Sequence, residues 1–299
     1  MKKIILSIAA ALLVTLPAVV FAAPTGIQIS PLSYNYEIKP GESKEVSINL
    51  TNLNSATLNY VIEIENFNQV TDEGAPSFTN ENVDKSVTSL KDWIIIKNSA
   101  ENEGQISAKQ SKDLVFKVSV PVGAEPGGHY AAIFAKEIRK TDTGETQLGI
   151  ATRVGTLVLV SVPGEVTKTA EITEFDPPSL LWKGGPVDLS MKVKNTGTVH
   201  YDSSGSVEIK SMLGKKSVVD FGKHTIIPDN QRSYSGVWTA KYPFGRYVLK
   251  AQATDGANQA VSVEKVLWVF PLIIIIPVIV AIIILVWVII YLRRHVKIV

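Results

Sequence analysis

The chain of 299 residues contains no cysteine. That absence removes disulfides, iron–sulfur clusters, thiolate zinc sites and cysteine nucleophiles. Histidine is nearly as scarce: His129, His200, His224 and His295 are the four, and none falls in a helical i, i+4 pair or an alternate strand pair that would assemble a metal site. No Gly-x-Ser-x-Gly, P-loop or dinucleotide fingerprint occurs, so Gly127-Gly128 and Gly184-Gly185 read as turn glycines. No catalytic residue, cofactor or metal is therefore expected, and the chain does not read as an enzyme. No sign of charge dominates the middle either. Of 30 basic residues, Lys2, Lys3, Arg293, Arg294 and Lys297 sit at the ends, leaving 25 against 28 acidic residues between 23 and 265, a net of −3. A nucleic-acid partner is not expected of such a surface.

The two ends carry the long apolar runs. Lys2 and Lys3 precede Ile4 to Leu16, then Pro17 and Val20-Phe21-Ala22, which reads as a secretory signal over residues 1–22 with cleavage after Ala22. Residues 266–292 hold no charge and are bounded by Lys265 and Arg293. At 1.5 Å per residue this run exceeds a ~30 Å hydrocarbon core, so a transmembrane helix is expected there, kinked by Pro271 and Pro277. Trp268 near one edge, and Trp287 and Tyr291 near the other, suit the headgroup region, while a basic tail over 293–299 biases the C-terminus to the cytoplasm. The body then lies outside the membrane. No Leu-Pro-x-Thr-Gly precedes the run, so a stably inserted anchor is preferred to sortase transfer.

Between those ends no amphipathic helix of length appears. Apolar residues recur with period two, as in Val46-Ser47-Ile48-Asn49-Leu50 and Leu114-Val115-Phe116-Lys117-Val118, with turns at Lys39-Pro40-Gly41, Asn52-Leu53-Asn54, Asp142-Thr143-Gly144 and Asn195-Thr196-Gly197. This predicts an all-β body of antiparallel sandwiches, with a short helix over Val83 to Trp93 as an open alternative. Two stretches follow one plan. Ser30-Pro31 leads to a strand ending at Asn52, and Asp176-Pro177-Pro178 to one ending at Asn195. Gly128-His129-Tyr130 has a partner in Gly245-Arg246-Tyr247, where each ring is expected to act as a tyrosine corner. Two immunoglobulin-like domains are expected, over 23–166 and 167–265.

Gly26-Ile27-Gln28-Ile29-Ser30-Pro31, the Lys39-Pro40-Gly41-Glu42-Ser43 turn, Thr51-Asn52 and Pro126 to Ile133 resemble the first domain of the WxL-interacting proteins of Gram-positive surfaces. The resemblance covers most of 24 to 165 and implies that the first domain contacts peptidoglycan or another envelope polymer, and the second surface proteins. The opening strand and Thr156 to Val162 are also similar to periplasmic pilus chaperones, which are soluble and lack an anchor. Two functions follow as expectations. One is an envelope binding or scaffold protein. The other is a tethered assembly factor that accepts a partner strand along the edge Val154 to Val162.

Other residues of interest read more plainly. Glu63 and Glu65 share a strand face, as paired glycosidase carboxylates would, and are expected to be solvated. Asp72, Glu73, Glu81 and Asp84 could collect calcium but match no calcium loop. Asn49-Leu50-Thr51 matches a glycosylation acceptor, His129 is expected at the surface beside its turn, and Trp93, Trp182 and Trp238 are expected to be packed.

Overall fold

A computed structural model describes residues 26–78, 87–98, 101–138, 152–182, 184–240 and 243–295. The expected signal peptide, the turn at 142–144, Glu81, Asp84 and Lys297 lie outside the described residues. The alternation seen in sequence becomes burial. In β3 (Ser43–Asn52) Val46, Ile48 and Leu50 point inward, and in β9 (Ser111–Ser119) Leu114, Phe116 and Val118 do the same.

The first domain adds β1 (Ile27–Ser30), β2 (Ser33–Glu37), β4 (Leu58–Asn66), the hairpin β5 (Gln69–Val70) and β6 (Pro76–Ser77), β7 (Ile94–Ile96), β8 (Glu103–Ile106), β10 (Gly127–Ile138) and β11 (Arg153–Val162). One sheet has the order β1-β3-β9-β7 and the other β2-β11-β10-β4-β8. Pro31, which cannot donate to a ladder, marks the point where the chain leaves the first sheet and joins the second. The second domain holds β12 (Ala170–Glu174), β13 (Leu180–Leu181), β14 (Gly185–Asn195), β15 (Tyr201–Ser211), β16 (Lys216–Ile226), β17 (Gln231–Ala240), β18 (Gly245–Thr254) and β19 (Ala260–Val269). Its sheets run β12-β14-β17 and β13-β19-β18-β15-β16, and the sheet change again falls at prolines, Pro177 and Pro178. In both domains the strand after the prolines pairs in parallel, β2 with β11 and β13 with β19.

The two asparagines noticed in sequence do the same work. Asn52 Nδ2 donates to the carbonyls of Ala56 (2.8 Å) and Ile106 (3.0 Å), while its Oδ1 accepts from the Asn54 N–H (2.9 Å). Asn195 Nδ2 donates to Val199 (2.9 Å) and Ile226 (2.9 Å), and its Oδ1 accepts from Gly197 (2.8 Å). Each buried amide thus ties the turn at the end of its strand to a neighbouring loop, which satisfies carbonyls that water does not reach.

The apolar run after Lys265 divides. Val266 to Val269 complete β19, paired with β18, and α1 (Leu272–His295) starts only after Pro271. The second sandwich therefore reaches Val269, not 265, and the apolar helix that could cross a membrane spans Leu272–Arg294. Pro271 opens the helix instead of kinking it, since the first helical turn has no use for its missing N–H; Pro277 is the proline inside. Composition could not separate the two parts, because the outward residues of this strand end, Val266 and Trp268, are themselves apolar.

Val83 to Trp93 contains, among the described residues, a single 3₁₀ turn at Lys91–Trp93 in place of a longer helix.

Candidate functional site

The edge expected at Val154 to Val162 is not open over most of its length. β2 pairs with it from Leu157 to Ser161, and Thr156 Oγ1 donates to the Pro31 carbonyl at 2.7 Å. Alternation along β11 showed which face it buries, whereas its lateral neighbour is set by where the chain goes after Pro31. The outer rim of that sheet is β2, whose outward residues are the polar Ser33, Asn35 and Glu37, and Lys44 sits over the Tyr36 ring at 3.8 Å. Such an edge resists further pairing.

The open apolar edge is β7. Among the described residues it is the last strand of its sheet, paired with β9 alone, and it reads Ile94-Ile95-Ile96. Ile95 is 58% exposed on it. Beside it the two sheets part, leaving a groove of about 590 Å³ lined by Ile62 and Ile64 of β4, Ile94 and Ile96 of β7, and Lys91, Asp92, Asn102 and Glu103 at its rim. Val61 completes the lining, and β8 forms the opposite lip. The run of isoleucines is visible in sequence; that its strand lies at a sheet end is not.

The remaining sequence candidates go elsewhere. His129 is buried at 3% exposure, contrary to its expected place at the surface. The 3₁₀ turn closes the end of the sandwich over it: its ring lies 4.3 Å from that of Trp93, and its nitrogens face the carbonyls of Ser89 (3.2 Å) and Glu125 (3.0 Å). Glu63 pairs with Lys136 of the neighbouring β10 (2.9 Å), and Glu65 reaches across β10 to Arg153 of β11 (2.6 Å), so both carboxylates are bridged to bases on the same sheet. Asn49 Nδ2 donates to Asp113 Oδ1 at 2.7 Å. Among the described residues no group of acidic and histidine side chains could hold a metal ion. Trp238 is buried in the second core, whereas Trp182 is exposed.

Several polar residues instead build the joint between the domains. Tyr130 does not make a tyrosine corner. Its ring lies back over Gly128, where any Cβ would fall 1.8 Å from the hydroxyl, and reaches His200 of the second domain. The His200 backbone N–H donates to that hydroxyl (3.2 Å), the hydroxyl faces Nδ1 (3.2 Å), and Nε2 faces Asn35 Oδ1 (2.8 Å), which fixes the neutral Nε2–H tautomer. Burial lowers the His200 pKa from 6.5 to about 4 and raises that of Tyr130. Asn230 accepts from the Val70 N–H at 2.8 Å, and Asp72 pairs with Lys192 (3.3 Å) and accepts from Gln231 (3.0 Å). Phe67, Tyr130, Leu159 and Ile227 form the apolar part. By contrast, Tyr247 stays local, its hydroxyl accepting from the Phe244 N–H at 3.2 Å.

No family model and no curated protein matches the chain. Among solved structures it is similar to the class 5 fimbriae chaperone CfaA, with TM-score 0.39 and 13% identity over 81% of this chain and 99% of that one. It is also similar to the CsuC–CsuE chaperone–tip subunit complex from the Csu pili of Acinetobacter baumannii, at TM-score 0.38 and 12% identity over 80% and 98%. The Salmonella enterica SafA pilin complex with the SafB chaperone matches at TM-score 0.36 and 11% identity over 83% and 99%. At these values the similarity is one of broad layout.

Proposed function

We propose that this chain is a membrane-anchored, extracytoplasmic binding protein that takes up an extended segment of a partner protein by strand addition at β7. The observation that carries this reading is the unguarded edge Ile94-Ile95-Ile96 with the isoleucine-lined groove beside it. A partner strand laid along β7 would satisfy its free backbone groups and place alternate apolar side chains over the groove, so main-chain bonds supply affinity and the groove supplies selection. The contacts at the joint orient the first domain on the second, and α1 supplies the anchor, with Arg293 and Arg294 on the cytoplasmic side. Confinement to a membrane raises the effective concentration of such a site, so a short strand contact suffices where partners are also surface-bound.

Amide hydrogen exchange on the full chain in micelles tests it, with a soluble probe peptide of alternating valine and threonine flanked by lysines. Slower exchange at Ile96, whose N–H faces away from β9 because Ile95 and Lys97 are the residues that pair with Lys117 and Val115, lost in Ile95→Lys, is the expected result. Unchanged exchange along β7 would sink the reading, and protection that survives Ile95→Lys would place the contact elsewhere.

A further inference from the structure

The end of the second domain from which α1 emerges is built unlike its other surfaces. The turns after β13, β15 and β17 all reach this end, since Leu181 pairs with Val269, Gly245 with Val269, and Ser211 with Tyr247. They and the end of β19 carry large apolar side chains into solvent: Trp182 is 54% exposed, Leu213 87%, and Met212, Phe244 and, on β19, Trp268 are likewise exposed. Phe270 gathers the rings, with centroids 5.8 Å from Trp268, 5.9 Å from Phe244 and 6.2 Å from Trp182. An apolar cavity of about 400 Å³ opens between the turns, so this surface is not closed over packing of its own. Lys215 and Arg246 stand exposed at its margin.

What covers it follows from where the helix begins. Only Pro271 separates Phe270 from the first helical residue, a spacing of ~3.8 Å per residue. No slack exists there either, because the Phe270 N–H donates to Leu181 (2.8 Å) and the Leu272 N–H to Trp182 (2.9 Å). A domain tied in this way cannot hang clear of a bilayer that its helix enters. Aromatic rings and basic side chains at that depth suit the headgroup region and its anionic lipids.

We infer that Trp182, Met212, Leu213, Phe244, Trp268 and Phe270 form a foot that seats the second domain in the lipid interface, so that the body stands at a fixed attitude on the membrane. This rests on the reading of α1 as a membrane anchor, and the test separates the two. The absence of native cysteine permits single spin labels on the full chain, reconstituted in phosphatidylcholine–phosphatidylglycerol vesicles. Labels go at Leu213→Cys in the foot, at Ile282→Cys within α1, and at Val122→Cys, an exposed turn of the first domain. Met212→Cys is the second foot variant. The expected result is an oxygen-to-nickel-chelate collision ratio at both foot positions several-fold above that at Val122→Cys and below that at Ile282→Cys. A foot ratio equal to that at Val122→Cys, with Ile282→Cys deep, overturns the foot and leaves the anchor standing. Water-like values at Ile282→Cys would overturn both.

Discussion

On the side of each sandwich away from its parallel strand pair, the second domain carries an 11-residue strand, β16, where the first carries β7 and β8, of 3 and 4 residues. β16 folds from one sheet toward the other: Phe221 and Val219 lie over Gly236 of β17, where an added Cβ would sit 2.7 Å from the Phe221 ring. That covers the second core around Gly236. In the first domain the chain between β4 and β9 goes instead into the β5–β6 hairpin, which helps form the joint, and into the 3₁₀ turn over His129. The corresponding side of the sandwich is left with a groove. One plan therefore yields a domain closed along this side, next to α1, and another left open there, according to how a single connection is used.

The largest expected effect probes what the domains share. Asn52→Ala and Asn195→Ala should each destabilise their domain by roughly 3–4 kcal/mol, because buried carbonyls lose their donor. Denaturant unfolding checks this; a loss under about 1 kcal/mol at one site would break the parallel between the turns.

His200 distinguishes the domains' joint from their cores. Its folded pKa of about 4 lies below the unfolded 6.5, so the unfolded chain binds more protons between those values. Stability should be whole above pH 6.5 and fall as pH drops toward 4, by roughly 3 kcal/mol at ~1.4 kcal/mol per pH unit. His200→Gln should flatten that part of the pH profile, and a profile unchanged by the substitution would show that the ring is not held neutral.

Gly128→Ala should cost about 2 kcal/mol by displacing the Tyr130 ring from the joint. Limited proteolysis between Val162 and Ala170 would report the loosened domains as faster cleavage, and an unchanged rate would mean that the apolar contacts hold the joint alone.

Substitutions at the two exposed edges should barely move stability, within about 0.5 kcal/mol. Ile95→Lys on β7 and Val218→Lys on β16 differ in another readout: the first should abolish protection by the alternating probe peptide and the second should leave it intact. Equal effects would erase the distinction between open and closed sandwiches. Smallest of all, removing the half-exposed Glu63–Lys136 pair should cost no more than ~0.5 kcal/mol by thermal unfolding.

Period-two patterning, the prolines before Asn52 and Asn195, and an uncharged run too long for a globular strand made the all-β body, its two-part plan and the apolar helix legible in sequence. Those features are local, and an alternating strand buries one face whatever lies beside it. Only the tertiary structure decided what is lateral or distant. It placed β2 along β11 and so moved the open edge to β7, carried Tyr130 across to His200 instead of into a corner, covered His129, and gave Val266 to Val269 to a strand. Each of these depends on which segments become neighbours after the chain turns back, and side-chain identity along one segment does not encode its neighbour.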